Sequence, residues 1–188
     1  MSFIVIEGDN GTGKTTVANM FKENGFAVIS EEPDIINMSI ESKKYAPGSE
    51  ERFNAFVKYN EVCLERSTRH KNSLIVRSWI STVSAAYADG KWSLDETLQK
   101  ADEFLNKYPI PDLIIRLECE YSERLKRIHK RFEETNDISD DISRMRDEKY
   151  QEILFEIKRK FPNWIDLDTT KLNPMEVYNK MQEIIKNL

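Results

Sequence analysis

The sequence predicts an α/β domain in which helices flank a five-stranded parallel sheet. Short apolar runs alternate along the chain with longer stretches of helical periodicity, which is the pattern of parallel strands joined by crossover helices. The length of 188 residues suits a single domain. A hydrophobic fraction of 39% beside a charged fraction of 32% supplies one core and a polar surface.

Five apolar segments are the predicted strands, since each is apolar enough to be covered on both faces. The polar, aperiodic segments 37–48 and 133–141 are predicted instead to be mobile loops that could close over a ligand. The predicted strands are Phe3 to Glu7, Phe26 to Ser30, Leu74 to Val76, Leu113 to Glu118 and Trp164 to Leu167.

Helical periodicity fills most of the chain between these strands. Two helix starts carry capping signals, Ser93 with Glu96 and Asn173 with Glu176. The predicted helices are 15–24, 49–70, 81–107 with a break at Asp89-Gly90, 121–160 and 174–187.

Charge and composition exclude several classes of function. The net charge of −5 argues against an extended nucleic-acid interface, which is normally basic. No apolar run reaches the roughly 18 residues of a membrane span, and the N-terminus does not read as a signal peptide, so we expect a cytoplasmic protein. Cys63 and Cys119 are far apart and in no metal-type spacing, which predicts free thiols.

The strongest functional signal is a glycine-rich loop between the first strand and the first helix. Residues 8–15 read GDNGTGKT and fit the pattern G-x-x-x-x-G-K-T. Glycines allow several backbone N–H groups to converge on a phosphate at the start of a helix. Lys14 is expected to bind the β- and γ-phosphates, and the Thr15 hydroxyl to bind Mg²⁺. The predicted triphosphate-binding residues are Gly8, Asp9, Asn10, Gly11, Thr12, Gly13, Lys14, Thr15 and Thr16.

A GTPase would also need an N-K-x-D motif to read the guanine base. The nearest string, residues 106–109, reads NKYP and lacks the aspartate. The sequence therefore argues against a GTPase.

Motifs after the second and third strands extend the pattern. Glu32-Pro33 follows the second strand, Arg77 and Ser81 follow the third, and Tyr87 comes next. With the strand that leads into the glycine-rich loop, these motifs resemble those of thymidylate kinases and of the related deoxynucleoside kinases, in the same order. The resemblance covers nearly the whole chain. It implies a P-loop nucleoside monophosphate kinase fold with three α/β/α layers.

The region after the fourth strand carries a cluster of arginines. Residues 117–123, LECEYSE, are similar to the run that leads into the arginine-bearing lid helix of thymidylate kinases. Arg124, Arg127 and Arg131 recur at i, i+3 and i+7 and so share one helix face. The resemblance implies a mobile lid at about 124–142, with Arg124 on ATP and the other two as catalytic cations. A solvated helix face is the structural alternative for this charge run.

The resemblance implies transfer of the γ-phosphoryl group of ATP, with Mg²⁺, to a nucleoside monophosphate bound at the other end of a cleft. Positioning and cations supply most of the catalysis of such a transfer. Homodimers are a further implication of the resemblance. The catalytic residues that it implies are Lys14, Glu32, Arg77, Arg127 and Arg131.

Val76 departs from the family pattern, because it occupies the place of the aspartate in a D-R-Y signature. A valine cannot bind Mg²⁺ or accept a proton, which leaves Glu32, alone or together with Glu7, as the acidic group near the acceptor. A nucleoside hydroxyl must lose a proton, whereas a monophosphate oxygen is already ionised near neutral pH, so the missing base favours a monophosphate acceptor. Deoxynucleoside kinases, which share the Glu-Pro and Arg-Ser pairs, are the second hypothesis, and an ATP-binding protein without catalysis is the third.

Phe56 and Asn60 lie where thymidylate kinases have a phenylalanine that stacks on the base and an arginine that hydrogen-bonds to it. Asparagine offers both a donor and an acceptor, so the preference for thymine does not carry over directly. Both residues also fit the buried face of an amphipathic helix. We predict a deoxynucleoside monophosphate kinase with dTMP as the first candidate acceptor. The predicted substrate-binding residues are Glu32, Phe56, Asn60, Arg77, Ser81 and Tyr87.

Overall fold

Five parallel strands form the sheet of the computed structural model, which describes residues 2–135 and 144–187. Their spatial order is β2-β3-β1-β4-β5, and every neighbouring pair is parallel. This confirms the predicted α/β class. The strands are β1 Ser2–Glu7, β2 Ala27–Val28, β3 Asn72–Val76, β4 Leu113–Glu118 and β5 Trp164–Asp168.

Helices connect the strands and cover the sheet. A short 3₁₀ turn, Ile29–Glu31, follows β2. The helices are α1 Lys14–Glu23, α2 Pro33–Ser42, α3 Glu50–Ser67, α4 Trp79–Ala88, α5 Leu94–Lys107, α6 Tyr121–Thr135, α7 Arg144–Lys158 and α8 Pro174–Lys186.

The central strand β1 contributes to the core on both sides of the sheet. Ile4 and Ile6 belong to a buried cluster with α1 and α8, whereas Val5 belongs to a cluster with α4, α5 and α7. Successive side chains of a strand point to opposite faces, so a strand buried on both sides is apolar throughout. This is why the strands are visible in the sequence as continuous apolar runs.

Several predicted boundaries are confirmed. Both capping boxes are present, Ser93 with Glu96 at α5 and Asn173 with Glu176 at α8. The break near Asp89-Gly90 separates α4 from α5, with Gly90 at φ 77°.

The segment 37–48 was expected to be a loop, but its first part belongs to α2. Pro33 opens this helix at a position where its missing N–H costs nothing. Ile35 is fully buried and packs in a cluster with Ile29 and Tyr59. Tertiary packing of this one face stabilises a helix whose sequence is largely polar.

The segment 121–160, which is predicted to be helical apart from the loop 133–141, contains the two helices α6 and α7. The second predicted loop, 133–141, also begins too early, because α6 continues to Thr135. The rest of that loop, and residues 136–142 of the predicted lid, lie outside the described residues. Within the described ranges, no helix is long and apolar enough to cross a membrane.

Candidate active site

The glycine-rich loop follows β1 and ends at the start of α1. Gly8 and Gly11 have φ angles of 130° and 79°, which favour glycine. A Cβ atom at Gly8 would lie 2.3 Å from the carbonyl oxygen of Leu117, and one at Gly11 would lie 2.9 Å from that of Arg124. The loop therefore packs tightly against β4 and α6, and side chains at these two positions would force it open.

Lys14 is buried within this loop. Its Nζ donates a hydrogen bond to the carbonyl oxygen of Asp9 at 2.5 Å and to Oγ1 of Thr12 at 3.3 Å. Burial and the nearby charge of Arg77 lower the pKa of Lys14 well below its ordinary value. An anion in the loop would favour the charged ammonium, as expected of a phosphate-binding lysine.

Thr15 and Thr16 are exposed in the first turn of α1. In the described part of the chain, no cluster of three or more His, Cys, Asp or Glu residues could hold a metal ion. A Mg²⁺ ion would fit here if the Thr15 hydroxyl and the phosphates of a bound nucleotide were its ligands together. This suits Mg²⁺, which is usually held by few protein groups together with phosphates and water.

Arg77 follows β3 and lies beside the loop. It has a left-handed φ of 66°, and its N–H donates to the carbonyl oxygen of Ile6 at 2.9 Å. The guanidinium donates to Oδ1 of Asn10, and to the hydroxyl of Tyr150 at 3.2 Å. A left-handed conformation costs roughly 1–3 kcal/mol for a residue with a side chain, and such strain is concentrated at functional sites.

Glu7, at the end of β1, supports the turn that contains Arg77. Its fully buried carboxylate accepts hydrogen bonds from the N–H of Ser78 at 2.9 Å and from Oγ of Ser78 at 2.7 Å. It also accepts one from Oγ of Ser81 at 2.5 Å. Burial raises the pKa of Glu7, although these hydrogen bonds oppose the shift.

A buried ion-pair network joins the loop to α6 and α7. Arg124 Nη1 lies 2.8 Å from Asp9 Oδ2, and its Nη2 lies 2.6 Å from Asp147 Oδ2. Burial opposes ionisation of Asp9, but the charges of Arg77 and Arg124 and the hydrogen bond from the N–H of Asn10 favour the carboxylate and lower the pKa of Asp9. Arg124 is therefore adjacent to the glycine-rich loop.

Arg127 contacts the segment after β5. Its Nη2 donates to the carbonyl oxygens of Thr169 at 2.9 Å and Thr170 at 3.4 Å. The Thr169 hydroxyl in turn lies 3.3 Å from the carbonyl oxygen of Thr12. Arg127 thus borders the phosphate loop on its β5 side, and Arg131 lies one helical turn further along α6.

A cavity of about 290 Å³ opens beside the loop, where β1 and β3 end. Four of the predicted substrate-binding residues line it: Phe56, Asn60, Arg77 and Ser81. Asp9 and Asn10, which were predicted only on the triphosphate side, also line the cavity. Further lining residues that were not predicted include Arg52, Thr82, Arg146 and Tyr150.

Tyr150 of α7 is not among the residues predicted for the site. It is buried, but its hydroxyl lies 2.9 Å from Oγ of Ser81 and within hydrogen-bond distance of Arg77. Its buried neighbours in α7 include Ile153, Leu154 and Ile157. A tyrosine among such aliphatic residues is a signal of a polar contact, because a buried tyrosine hydroxyl usually needs a hydrogen-bond partner.

Glu32 and Tyr87 lie outside the residues that line this cavity. Glu32 pairs with Arg66, which also pairs with Asp34. The Tyr87 hydroxyl donates to Oε2 of Glu152 at 2.7 Å. The structure does not bring these two predicted residues together with Arg77 and Asn60.

A second cavity, of about 380 Å³, lies on the other side of Asp9. It is bordered by the ends of β4 and β5 and by the starts of α6 and α7. Thr12, Arg124 and Thr170 are among its lining residues. The phosphate loop therefore separates two openings, and Asp9 contributes to both.

The sheet order and the glycine-rich loop after the central strand define a kinase-like α/β fold. Thymidylate kinase from Candida albicans is similar with a TM-score of 0.73 and 18% sequence identity, over 99% of this chain and 91% of that one. Deoxyadenosine kinase from M. mycoides, with dCMP and dCDP bound, is similar with a TM-score of 0.65 and 17% identity, over 98% and 99% of the two chains. The same kinase with dATP bound gives 0.66 and 17%, over 97% and 98%.

No family model matches the sequence, and the search of curated proteins also found no match. The structural likeness shows that the chain has the fold shared by thymidylate kinases and deoxynucleoside kinases, as the sequence motifs predicted.

Proposed function

We propose that this protein is a nucleoside monophosphate kinase that transfers the γ-phosphoryl group of ATP to a deoxynucleoside monophosphate. The observation that carries this proposal is the shared wall between the phosphate loop and the cavity. Asp9 and Asn10 belong to the loop and also line the cavity, and Asn10 accepts a hydrogen bond from Arg77. A triphosphate in the loop and an acceptor in the cavity would meet at Arg77.

On the donor side, the loop N–H groups and Lys14 would bind the phosphates. The Thr15 hydroxyl would hold Mg²⁺ together with the nucleotide, and the ion would supply positive charge that offsets part of the phosphate charge. Arg127, which is hydrogen-bonded to the segment after β5, would act on the donor nucleotide rather than on the acceptor. Arg124 would move from Asp9 towards the bound phosphates, because the Asp9 carboxylate and the phosphates are both anions that compete for its guanidinium.

The charges around the cavity favour an anionic acceptor. Five of its described lining residues are basic, Lys43, Arg52, Arg77, Lys91 and Arg146, and two are acidic, Asp9 and Asp89. Asp89 pairs with Arg146, Lys91 pairs with Glu50, and Asp9 pairs with Arg124 from outside the lining, so a net positive charge is left on the wall.

The described carboxylates near the cavity are also poorly placed to act as a base. Glu7 already accepts three hydrogen bonds from two serines, and Glu32 is paired with Arg66. A nucleoside hydroxyl would need such a base, but the phosphate of a monophosphate would not. This argument favours the monophosphate, with dTMP, implied by the motif resemblance, as the first candidate.

A deoxynucleoside kinase is the second candidate function. The observation in its favour is the likeness to deoxyadenosine kinase over 98% of this chain. In that case Glu32 would have to leave Arg66 to reach a 5′-hydroxyl.

The first test is ADP release from Mg²⁺-ATP with a panel of deoxynucleoside monophosphates and deoxynucleosides. We expect Lys14→Met to lower kcat by on the order of 100-fold or more, since it removes a cation from the transferring phosphate. Lys22→Met is the matched control, because Lys22 is exposed at the other end of α1. Unchanged turnover in Lys14→Met would contradict the proposed site, and turnover of nucleosides alone would favour the second candidate.

A further inference from the structure

The hydroxyl group of Tyr150 lies between the guanidinium of Arg77 and a buried carboxylate. Nη1 of Arg77 donates to this hydroxyl at 3.2 Å, and the hydroxyl lies 2.9 Å from Oγ of Ser81. Oγ of Ser81 in turn donates to Oε2 of Glu7 at 2.5 Å. Two hydroxyl groups therefore connect the guanidinium to the carboxylate.

The direction of this chain of hydrogen bonds follows from the guanidinium. Arginine has donors but no acceptor, so the oxygen of Tyr150 accepts from Arg77. Burial raises the pKa of Tyr150 to about 12, so the phenol keeps its own proton at neutral pH. In the described part of the chain, Oγ of Ser81 is the acceptor within reach of that proton, which leaves the serine hydrogen for Glu7. Hydrogen bonds linked in this way strengthen one another.

Neutral groups hold the guanidinium of Arg77. Nη2 donates to Oδ1 of Asn10, and Nη1 donates to the hydroxyl of Tyr150. None of the ion pairs between described residues includes Arg77. A carboxylate in direct contact would compete with a phosphate for the guanidinium. The two neutral partners fix the position of Arg77 and leave its charge available to a ligand.

Helix α7 presents Tyr150 from a fixed position. The side chain is only 2% exposed and belongs to the core cluster that α7 shares with α4 and α5. One turn earlier in α7, Arg146 pairs with Asp89 at 2.7 Å, and Asp147 pairs with Arg124 at 2.6 Å. A group on a helix that is anchored in this way holds its partner more precisely than a group on a loop.

We propose that Tyr150 is a positioning residue that acts through Arg77. This inference rests on the proposed function, in which Arg77 lies between the triphosphate and the acceptor. The hydroxyl holds the guanidinium where it meets the phosphate of a deoxynucleoside monophosphate. Without the hydroxyl, Nη1 keeps only its 3.5 Å contact with Oγ of Ser81, and the guanidinium can turn about its contact with Asn10. A guanidinium that is placed before the substrate binds lowers the cost of ordering the site.

The test measures the effect of Tyr150→Phe in two backgrounds, one with Arg77 and one with Arg77→Met. Phenylalanine keeps the buried ring and removes only the hydroxyl. With Arg77 present, we expect kcat to fall on the order of tenfold, because a hydrogen bond to a charged group is lost, and the KM for ATP to stay nearly unchanged. In the Arg77→Met background we expect no further loss, because no guanidinium is left to position. A merely structural role of Tyr150 would lower activity in both backgrounds.

Tyr178→Phe is the matched control for removal of a buried phenol. Tyr178 is a buried tyrosine of α8, and its hydroxyl accepts from Nε2 of Gln182 at 2.6 Å. We expect the activity of this variant to equal that of the wild type.

Calorimetry of monophosphate binding separates this inference from the proposed function. The probes are dCMP, dTMP, dAMP and dGMP, and the one that the wild type binds most tightly is compared among the variants. We expect Tyr150→Phe to weaken its binding several-fold and Tyr178→Phe to leave it unchanged. This result without phosphoryl transfer by the wild type would overturn the kinase proposal but support the role of Tyr150.

Three outcomes would overturn the role of Tyr150. They are wild-type activity and affinity in Tyr150→Phe, an equal loss with and without Arg77, and no binding of any monophosphate to the wild type, which would overturn the kinase proposal as well. If Tyr150→Phe does not fold, Ser81→Ala takes its place, because it removes the group that receives the proton of Tyr150. Its loss of activity should then also depend on Arg77, and an equal loss in both backgrounds would count against the proposal.

Discussion

Arg77 combines a strained backbone with a central position in the candidate site. Its left-handed conformation is held by the hydrogen bond to Ile6 and by the contacts of its guanidinium with Asn10 and Tyr150. The next residue, Ser78, is fixed by Glu7. Such a conformation persists only where several neighbours hold it, and here they place a cation between the two halves of the site.

Replacement of Arg77 should therefore damage activity more than stability. We expect Arg77→Met to lower kcat/KM by on the order of 100-fold, because a cation at the transferring oxygens is lost. The measurement is steady-state ADP release. Arg69→Met is the control, because Arg69 is exposed just after α3 and forms a surface ion pair with Glu65. Equal activities of the two variants would contradict a role for Arg77 in transfer.

The buried carboxyl group of Glu7 should make stability depend on pH. Burial raises its pKa above the ordinary value of 4.5, so the folded state binds the proton more tightly than the unfolded state. The contribution of Glu7 to the free energy of unfolding is therefore fully present below the unfolded pKa and is lost as the pH rises through the folded pKa.

Urea denaturation of the wild type and Glu7→Gln between pH 4 and pH 8 tests this sign. We expect the stability of the wild type relative to Glu7→Gln to fall as the pH rises above about 4.5. The variant provides the reference because glutamine does not titrate. A relative stability that rises with pH would show that hydrogen bonds from the serines, rather than burial, control this carboxyl group.

Helices α6 and α7 are connected to the phosphate loop by the Asp9–Arg124–Asp147 network. The same guanidinium holds a residue of the loop and a residue of α7, so these elements are coupled through one side chain. Gln151 adds a weaker contact, since its Nε2 lies 3.5 Å from Oδ2 of Asp9. Binding of phosphates at the loop would compete for Arg124 and change how α7 is held.

Asp147→Asn should weaken this connection. We expect a loss of about 1–2 kcal/mol in the free energy of unfolding, because a largely buried guanidinium loses one of its two charged partners. Glu156→Gln is the control on the same helix: it removes a surface pair with Arg159, for which less than about 1 kcal/mol is expected. Urea denaturation measures the free energy of unfolding of both variants. Equal losses in Asp147→Asn and Glu156→Gln would contradict a structural role for the network.

At the scale of the whole molecule, the sheet and most helices could be predicted because burial on both faces makes strands such as β1 uniformly apolar. The glycine-rich loop was equally visible, since its backbone path requires glycine at Gly8 and Gly11. Helix α2 was missed because packing of a few residues, Ile35 among them, outweighs its polar composition.

Other parts of the candidate site depend on contacts between distant parts of the chain. Tyr150 meets Arg77 across 73 positions, and Thr82 meets Asn60 across 22. Periodicity predicts which face of a helix is buried, but not which polar groups meet there. The roles of Glu32, Tyr87, Arg127 and Arg131, and the expected homodimer, stay predictions.

The account depends most on the acceptor being a phosphate rather than a hydroxyl. The most direct measurement is anion-exchange chromatography of the products formed from Mg²⁺-ATP with a deoxynucleoside or, in a separate run, its monophosphate, for the cytosine and thymine pairs in turn. We predict a deoxynucleoside diphosphate, resolved from ADP, in at least one of the monophosphate runs. Conversion of a deoxynucleoside to its monophosphate, with no deoxynucleoside diphosphate in any run, would contradict the central claim.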